Sequence, residues 1–106
     1  FTYIDDIIKG VLKTLLEDSN DSSFYKLYNI GNSSPVQLTD FIKSIEYNLG
    51  VVAEKEMLPM QPGDVNQTWA NVSKFQKDYH YKPNTSLNKG VEAFVDWYKM
   101  YYKIKY

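Results

Sequence analysis

Ile4, Ile7, Ile8, Val11, Leu12 and Leu15 recur at the three- and four-residue intervals of one helical face. Asp5 and Asp6 sit at its start, where carboxylates complement the positive end of the helix dipole. The polar run from Asp18 to Ser23 breaks the pattern. From Phe24 to Ile30 apolar and polar positions alternate, which predicts a short strand. Gly31, Asn32, Ser33, Ser34 and Pro35 form a turn cluster. Leu38, Phe41, Ile42, Ile45 and Leu49 then predict a second amphipathic helix, stopped by Gly50. Val51 to Leu58 reads as a second strand, with Glu54 and Glu56 on one face, and Thr68 to Ala70 as a third, very short one. Asn71 is placed to cap a short helix ending at Tyr79. Thr85 is expected to cap the last helix, from Ser86 to about Tyr102, which turns Leu87, Val91, Phe94, Val95, Tyr98 and Tyr102 inward.

A strand, a helix and a strand within some thirty residues predict one βαβ unit with parallel strands and a right-handed crossover. The expected fold class is therefore α/β (α+β): a small sheet of two or three short, mainly parallel strands with about four helices. So small a sheet stabilises itself poorly. One of its faces is expected to pack on something outside this chain.

Composition narrows the picture. The length of 106 residues suits a single domain spanning residues 1–106. Twelve Lys against thirteen acidic residues leave a net charge of -1, which argues against nucleic acid or an anionic membrane as partner. The chain has no Arg, so any tight bidentate grip on a phosphate must come from elsewhere. It has no Cys, which removes disulfides and Cys-ligated metal. No apolar run approaches the length that spans a bilayer, and a cytoplasmic location is expected. Phe1 opens the chain without a methionine, as in the later portion of a longer protein. Five Asn-x-Ser/Thr sequons, at Asn20, Asn32, Asn66, Asn71 and Asn84, are ascribed to the abundance of Asn and Ser.

Few positions suggest chemistry. His80 is the only histidine; it builds no zinc site without Cys and has no Ser or Asp spaced for a triad. It follows a helix, where a left-handed residue is often needed, and reads as a surface or capping residue. The Gly31–Pro35 turn lacks the Lys and second Gly of a P-loop and reads as a connector. Gln61, Pro62, Gly63 and Asp64 are more specific. Pro-Gly fixes a tight turn and brings an amide and a carboxylate to its two ends. Such a pair suits a polyol such as ribose, with the amide near an oxyanion. A simple turn with an Asx hydrogen bond is the other reading of the same residues.

FTYIDDI, YNIGNSSPVQL, MLPMQPGDV and TWANVSKFQKDYHYKPNTSLNKGVEAFVDWY follow one another in the order seen in extended short-chain dehydrogenases. Across nearly its whole length the chain resembles nucleotide-sugar epimerases of the UDP-glucuronate 4-epimerase type. That resemblance implies two parts in a parent protein. An N-terminal Rossmann domain would bind NAD and carry the catalytic Tyr-x-x-x-Lys pair; a smaller C-terminal lobe would close over the UDP-sugar. This sequence is similar to the lobe only, without the glycine-rich loop or the catalytic pair in its context, and no catalytic or metal-binding residue is assigned to it. By position, the resemblance implies that Phe1 lines the nucleotide and Ser34 borders its pocket. Gln61 stands at a diphosphate contact where Arg is commoner, Asp64 at the acceptor for the ribose hydroxyls, and Thr68 where some relatives carry a phosphate-proximal Tyr. The sequence departs from the family at Asn88, where Glu completes a capping box, at His80, where Gly is commoner, and at Asn71, where Asp is expected. The implied parent reaction passes a hydride from sugar C4 to NAD and returns it to the other face. The implied partners are the UDP-sugar and the Rossmann domain of the same chain, in a homodimeric parent. A dehydratase or decarboxylase of the same superfamily, or a stand-alone protein-interaction module, are the alternatives.

Overall fold

A computed structural model describes residues 1–19 and 23–105. Asn20, and with it one sequon and the middle of the Asp18–Ser23 loop, lies outside the described residues. The described chain has four helices, α1 (Ile4–Leu16), α2 (Leu38–Leu49), α3 (Ser73–Tyr79) and α4 (Leu87–Tyr102), and no strand.

The α/β expectation, with its small parallel sheet, is therefore incorrect for this chain: the described residues are all-α. The reason is visible in the segments read as strands. Between Tyr25 and Ile30 every second residue is half-buried, so the period-two pattern is real. Among the described residues no neighbouring backbone pairs with it. Side chains of the α3 region hold it instead. The Tyr28 hydroxyl donates to Asp78 Oδ2 at 2.6 Å, Lys74 Nζ donates to the Leu27 carbonyl at 3.3 Å, and Asn29 Nδ2 donates to the Asn71 carbonyl at 3.4 Å. Val51 to Trp69 is exposed throughout and forms no regular element. Alternation reports one-sided packing; a strand also needs a partner edge.

The helices form where their apolar stripes predict them. α2 ends at Gly50, whose φ of 73° places it in the left-handed region and lets its N–H reach the Glu46 carbonyl at 2.8 Å. His80 caps α3 in the same region, at φ 50°, and is exposed. The cap of α4 is Ser86, one residue later than expected; its hydroxyl accepts the Lys89 N–H. Thr85 is engaged elsewhere, because its N–H donates to Asp6 Oδ2 at 3.0 Å. Asn88 does not act as the Glu of a capping box. Its Oδ1 accepts from Ser44 Oγ and Asn48 Nδ2, tying α4 to α2. Asn71 does serve the start of α3: its Oδ1 accepts both the N–H and the hydroxyl of Ser73.

Asp6 lies in the first turn of α1, where a dipole partner is expected, and does more. It is 1% exposed, and through Thr85 it fastens α1 to the entry of α4. The Tyr81 hydroxyl donates to the Asp6 carbonyl at 2.6 Å. Burial pushes the Tyr81 hydroxyl up from its ordinary pKa, with the Asp6 charge adding to the shift, so it stays a donor.

Two small apolar clusters carry the packing. In the first, Phe75 and Tyr79 of α3 meet Tyr28, and Phe75 also meets Tyr81, with ring centroids 5.0–6.0 Å apart. Gly10 of α1 faces it, so close that an added Cβ would stand 3.2 Å from Ile30 and 3.3 Å from Tyr81. In the second, Val91 and Val95 of α4 are buried where α4 crosses α2. The whole is thin and open, 53 × 37 × 18 Å with a radius of gyration of 17.4 Å, against about 13 Å for a closed chain of this length.

Candidate functional site

A corner of the molecule gathers the start of the chain, the Gly31–Pro35 turn and the return of the long exposed segment. The Asn32 N–H donates to Thr2 Oγ1 at 2.8 Å, and Asn32 Oδ1 accepts the Ser34 N–H at 3.1 Å. Asn32 thus shapes the turn as an Asx turn and links it to the residue after Phe1. Gly31 is buried between Thr2 and Ala70; an added Cβ would stand 3.4 Å from the Ala70 methyl. Phe1 stacks face to face on Phe41 of α2, with centroids 4.0 Å apart and planes within 4°. Phe1 and Ser34 are therefore brought to one corner, and Thr68 lies two residues before the Ala70 contact.

Gln61 and Asp64 stand apart on the exposed segment. The turn predicted from Pro62-Gly63 is present: the Asp64 N–H donates to the Gln61 carbonyl at 3.2 Å, and Gly63 has φ 91°. These are the marks of a type II turn, which needs a residue of positive φ at its third position. Gln61, Asp64 and Thr68 are exposed, as are Phe1 and Ser34. All five are thus available to a ligand.

Beside the corner lies an open, mainly apolar cavity of about 700 Å³ between the start of α1, α2 and α4. Phe1, Tyr3, Phe41, Leu87, Phe94 and Trp97 are among its walls. Of the five sequence-predicted residues only Phe1 reaches it. Phe41 reads in the sequence as a core position of the α2 stripe and Trp97 lies off the apolar stripe of α4, so neither marks a site by pattern alone. Asn32 could have been found, because Asn followed by Ser, Ser and Pro is an Asx-turn signature.

Among the described residues no three His, Asp or Glu side chains stand together to hold a metal. The amides of Asn32 and Ser34 are already bonded within the corner, and Pro35 has none to offer. No helix among the described residues is long and apolar enough to cross a membrane.

No family profile matches the chain. It is 42% identical to protein CapI of Staphylococcus aureus over 117 aligned positions, covering 97% of this chain and 35% of that protein. It is 43% identical to UDP-glucuronate 4-epimerase 2 of Arabidopsis thaliana, covering 97% of this chain and 26% of the relative. The fold superposes on UDP-glucuronic acid 4-epimerase of Bacillus cereus, solved with UDP-glucuronic acid and NAD, with a TM-score of 0.81 and 36% identity, over 96% of this chain and 32% of that one. UDP-glucose 4-epimerase of Thermotoga maritima, at 21% identity and a TM-score of 0.79, shares the fold.

The chain corresponds to the C-terminal part of an extended short-chain dehydrogenase of the nucleotide-sugar epimerase class. UDP-glucuronate 4-epimerases are among its relatives in that class, and it spans about a quarter to a third of the length of the curated relatives it matches.

Proposed function

We propose that this chain is the UDP-sugar-binding lobe of an NAD-dependent epimerase that inverts C4 of UDP-glucuronate or a related UDP-hexose. The carrying observation is the Pro62-Gly63 turn, which presents Gln61 and Asp64, both exposed, at its two ends. Asp64 accepts from the ribose hydroxyls and Gln61 donates its amide to the diphosphate. Phe1 lines the nucleotide, Ser34 borders it, and Thr68 approaches the phosphates. NAD, held by an N-terminal Rossmann domain, supplies the hydride chemistry. This lobe binds and orients the sugar nucleotide and contributes no bond-making group. Its exposed apolar residues, among them Ile4, Phe94 and Trp97 along the cavity, pack on that domain, and the whole enzyme is a cytoplasmic homodimer built mainly through it.

The test uses the full-length protein with UDP-glucuronate. Asp64→Ala is expected to raise KM about tenfold, the loss of one charge-assisted hydrogen bond, and to change kcat by less than about twofold. An unchanged KM removes Asp64 from the site. Formation of a dehydrated or decarboxylated sugar nucleotide in the same assay would reassign the reaction within the superfamily.

A further inference from the structure

We propose that Glu46 is a positioning residue for the Gln61–Asp64 turn, its carboxylate clasping the segment that leads from α2 to that turn. The inference rests on the reading of the turn as the UDP-sugar contact and adds the residue that aims it.

Glu46 holds the departing chain twice. Its carbonyl accepts the Gly50 N–H at 2.8 Å and the Val51 N–H at 3.2 Å, which closes α2. Its side chain then reaches past the helix end. Oε1 accepts the Ala53 N–H at 2.8 Å and also the Lys55 ammonium. The Glu46 side chain is itself 16% exposed and makes this bond at the very place where the segment begins.

The segment has little else to direct it. Every residue from Val51 to Trp69 is exposed, so none is fixed by burial in a core. Among the described residues, Glu46 is the only residue outside 51–69 that hydrogen-bonds to it. The far end is fixed by packing, where Ala70 meets Gly31. The turn at Gln61–Asp64 is thus slung between a carboxylate clasp and a glycine contact. Gln61 lies six positions beyond Lys55, a reach of up to about 20 Å. Loss of the clasp therefore releases the near end of that tether and widens the range of positions open to the turn. The Lys55 ammonium, the Ala53 N–H and Lys43 hold the Glu46 carboxyl below the ordinary glutamate range, so the clasp carries its charge throughout neutral pH.

The experiment compares Glu46→Ala, Glu46→Gln and Lys55→Ala with Asp64→Ala in the full-length enzyme, using UDP-glucuronate. Glu46→Ala is expected to raise KM about fivefold with kcat nearly unchanged, and to speed amide hydrogen exchange across residues 53–64. Glu46→Gln keeps an acceptor for the Ala53 N–H and is expected to recover part of the loss; Lys55→Ala is expected to fall between wild type and Glu46→Ala. If Asp64→Ala raises KM and Glu46→Ala does not, the clasp is wrong and the reading of the turn stands. If Asp64→Ala leaves KM unchanged, that reading fails and the clasp falls with it. A Glu46→Ala enzyme that loses kcat and melting temperature together, with KM and local exchange unmoved, would make Glu46 a general structural residue and overturn the assignment.

Discussion

Asp6 shows how much one buried carboxylate can do at the scale of a residue. Its Oδ2 occupies the N–H of Thr85, 79 positions away, and so sets where α4 can begin. Replacing it with Ala leaves that amide without its partner in a covered place. Asp6→Ala is expected to cost about 1–3 kcal/mol, and Asp6→Asn, which keeps an acceptor oxygen, distinctly less. Urea unfolding of the two variants measures the difference. Nothing local to Asp5-Asp6 announces this role, since an acidic first turn is explained by the helix dipole alone. The same limit applies to Phe1, whose stacking partner Phe41 lies on another element. The Pro62-Gly63 turn was legible because its determinants are adjacent: one residue fixes φ and the next tolerates a positive value.

At the scale of the element, helices were readable and strands were not. A helix satisfies its own backbone, so its stripe and its stop signal suffice; α2 with Gly50 is the plain case. A strand depends on a second segment, and the alternation of residues 24–30 carries no information about whether that segment is present. Caps fall between the two. Thr85 and Ser86 are both suitable by type, and a bond from a distant helix decides between them. The end of α3 offers a test of strain. His80 is exposed and holds φ 50°, a conformation that favours glycine. His80→Gly is expected to stabilise the fold by about 1 kcal/mol, read as a higher urea midpoint with an unchanged slope.

At the scale of the whole molecule, the chain leaves large apolar side chains uncovered on several elements. Ile4, Leu15 and Leu16 of α1 are at least 64% exposed, and Phe94, Trp97, Met100 and Tyr101 follow one another along α4 at 46–75%. Patches of this extent mark a surface that meets another surface. Expressed alone, the chain is expected to bind the dye ANS at neutral pH; joined to the rest of its parent, it is expected to lose that binding, as fluorescence titration of the two forms would report. The expectation of an outside partner surface rested on a sheet too small to stand alone; that sheet is absent, and the openness of the molecule is the better reason to propose such coverage. Its 18 Å thickness has a further bearing on descent. Few side chains are buried in so thin a body, and most positions reach a face of it. Selection on such positions acts on pairs, one member here and one in the surface opposite. Correlated substitutions are therefore expected between α1 or α4 and the remainder of the parent, more than within this chain. A lobe exchanged between relatives 42% identical would carry half of a matched set. On the proposed docking, the unit under selection is the seam.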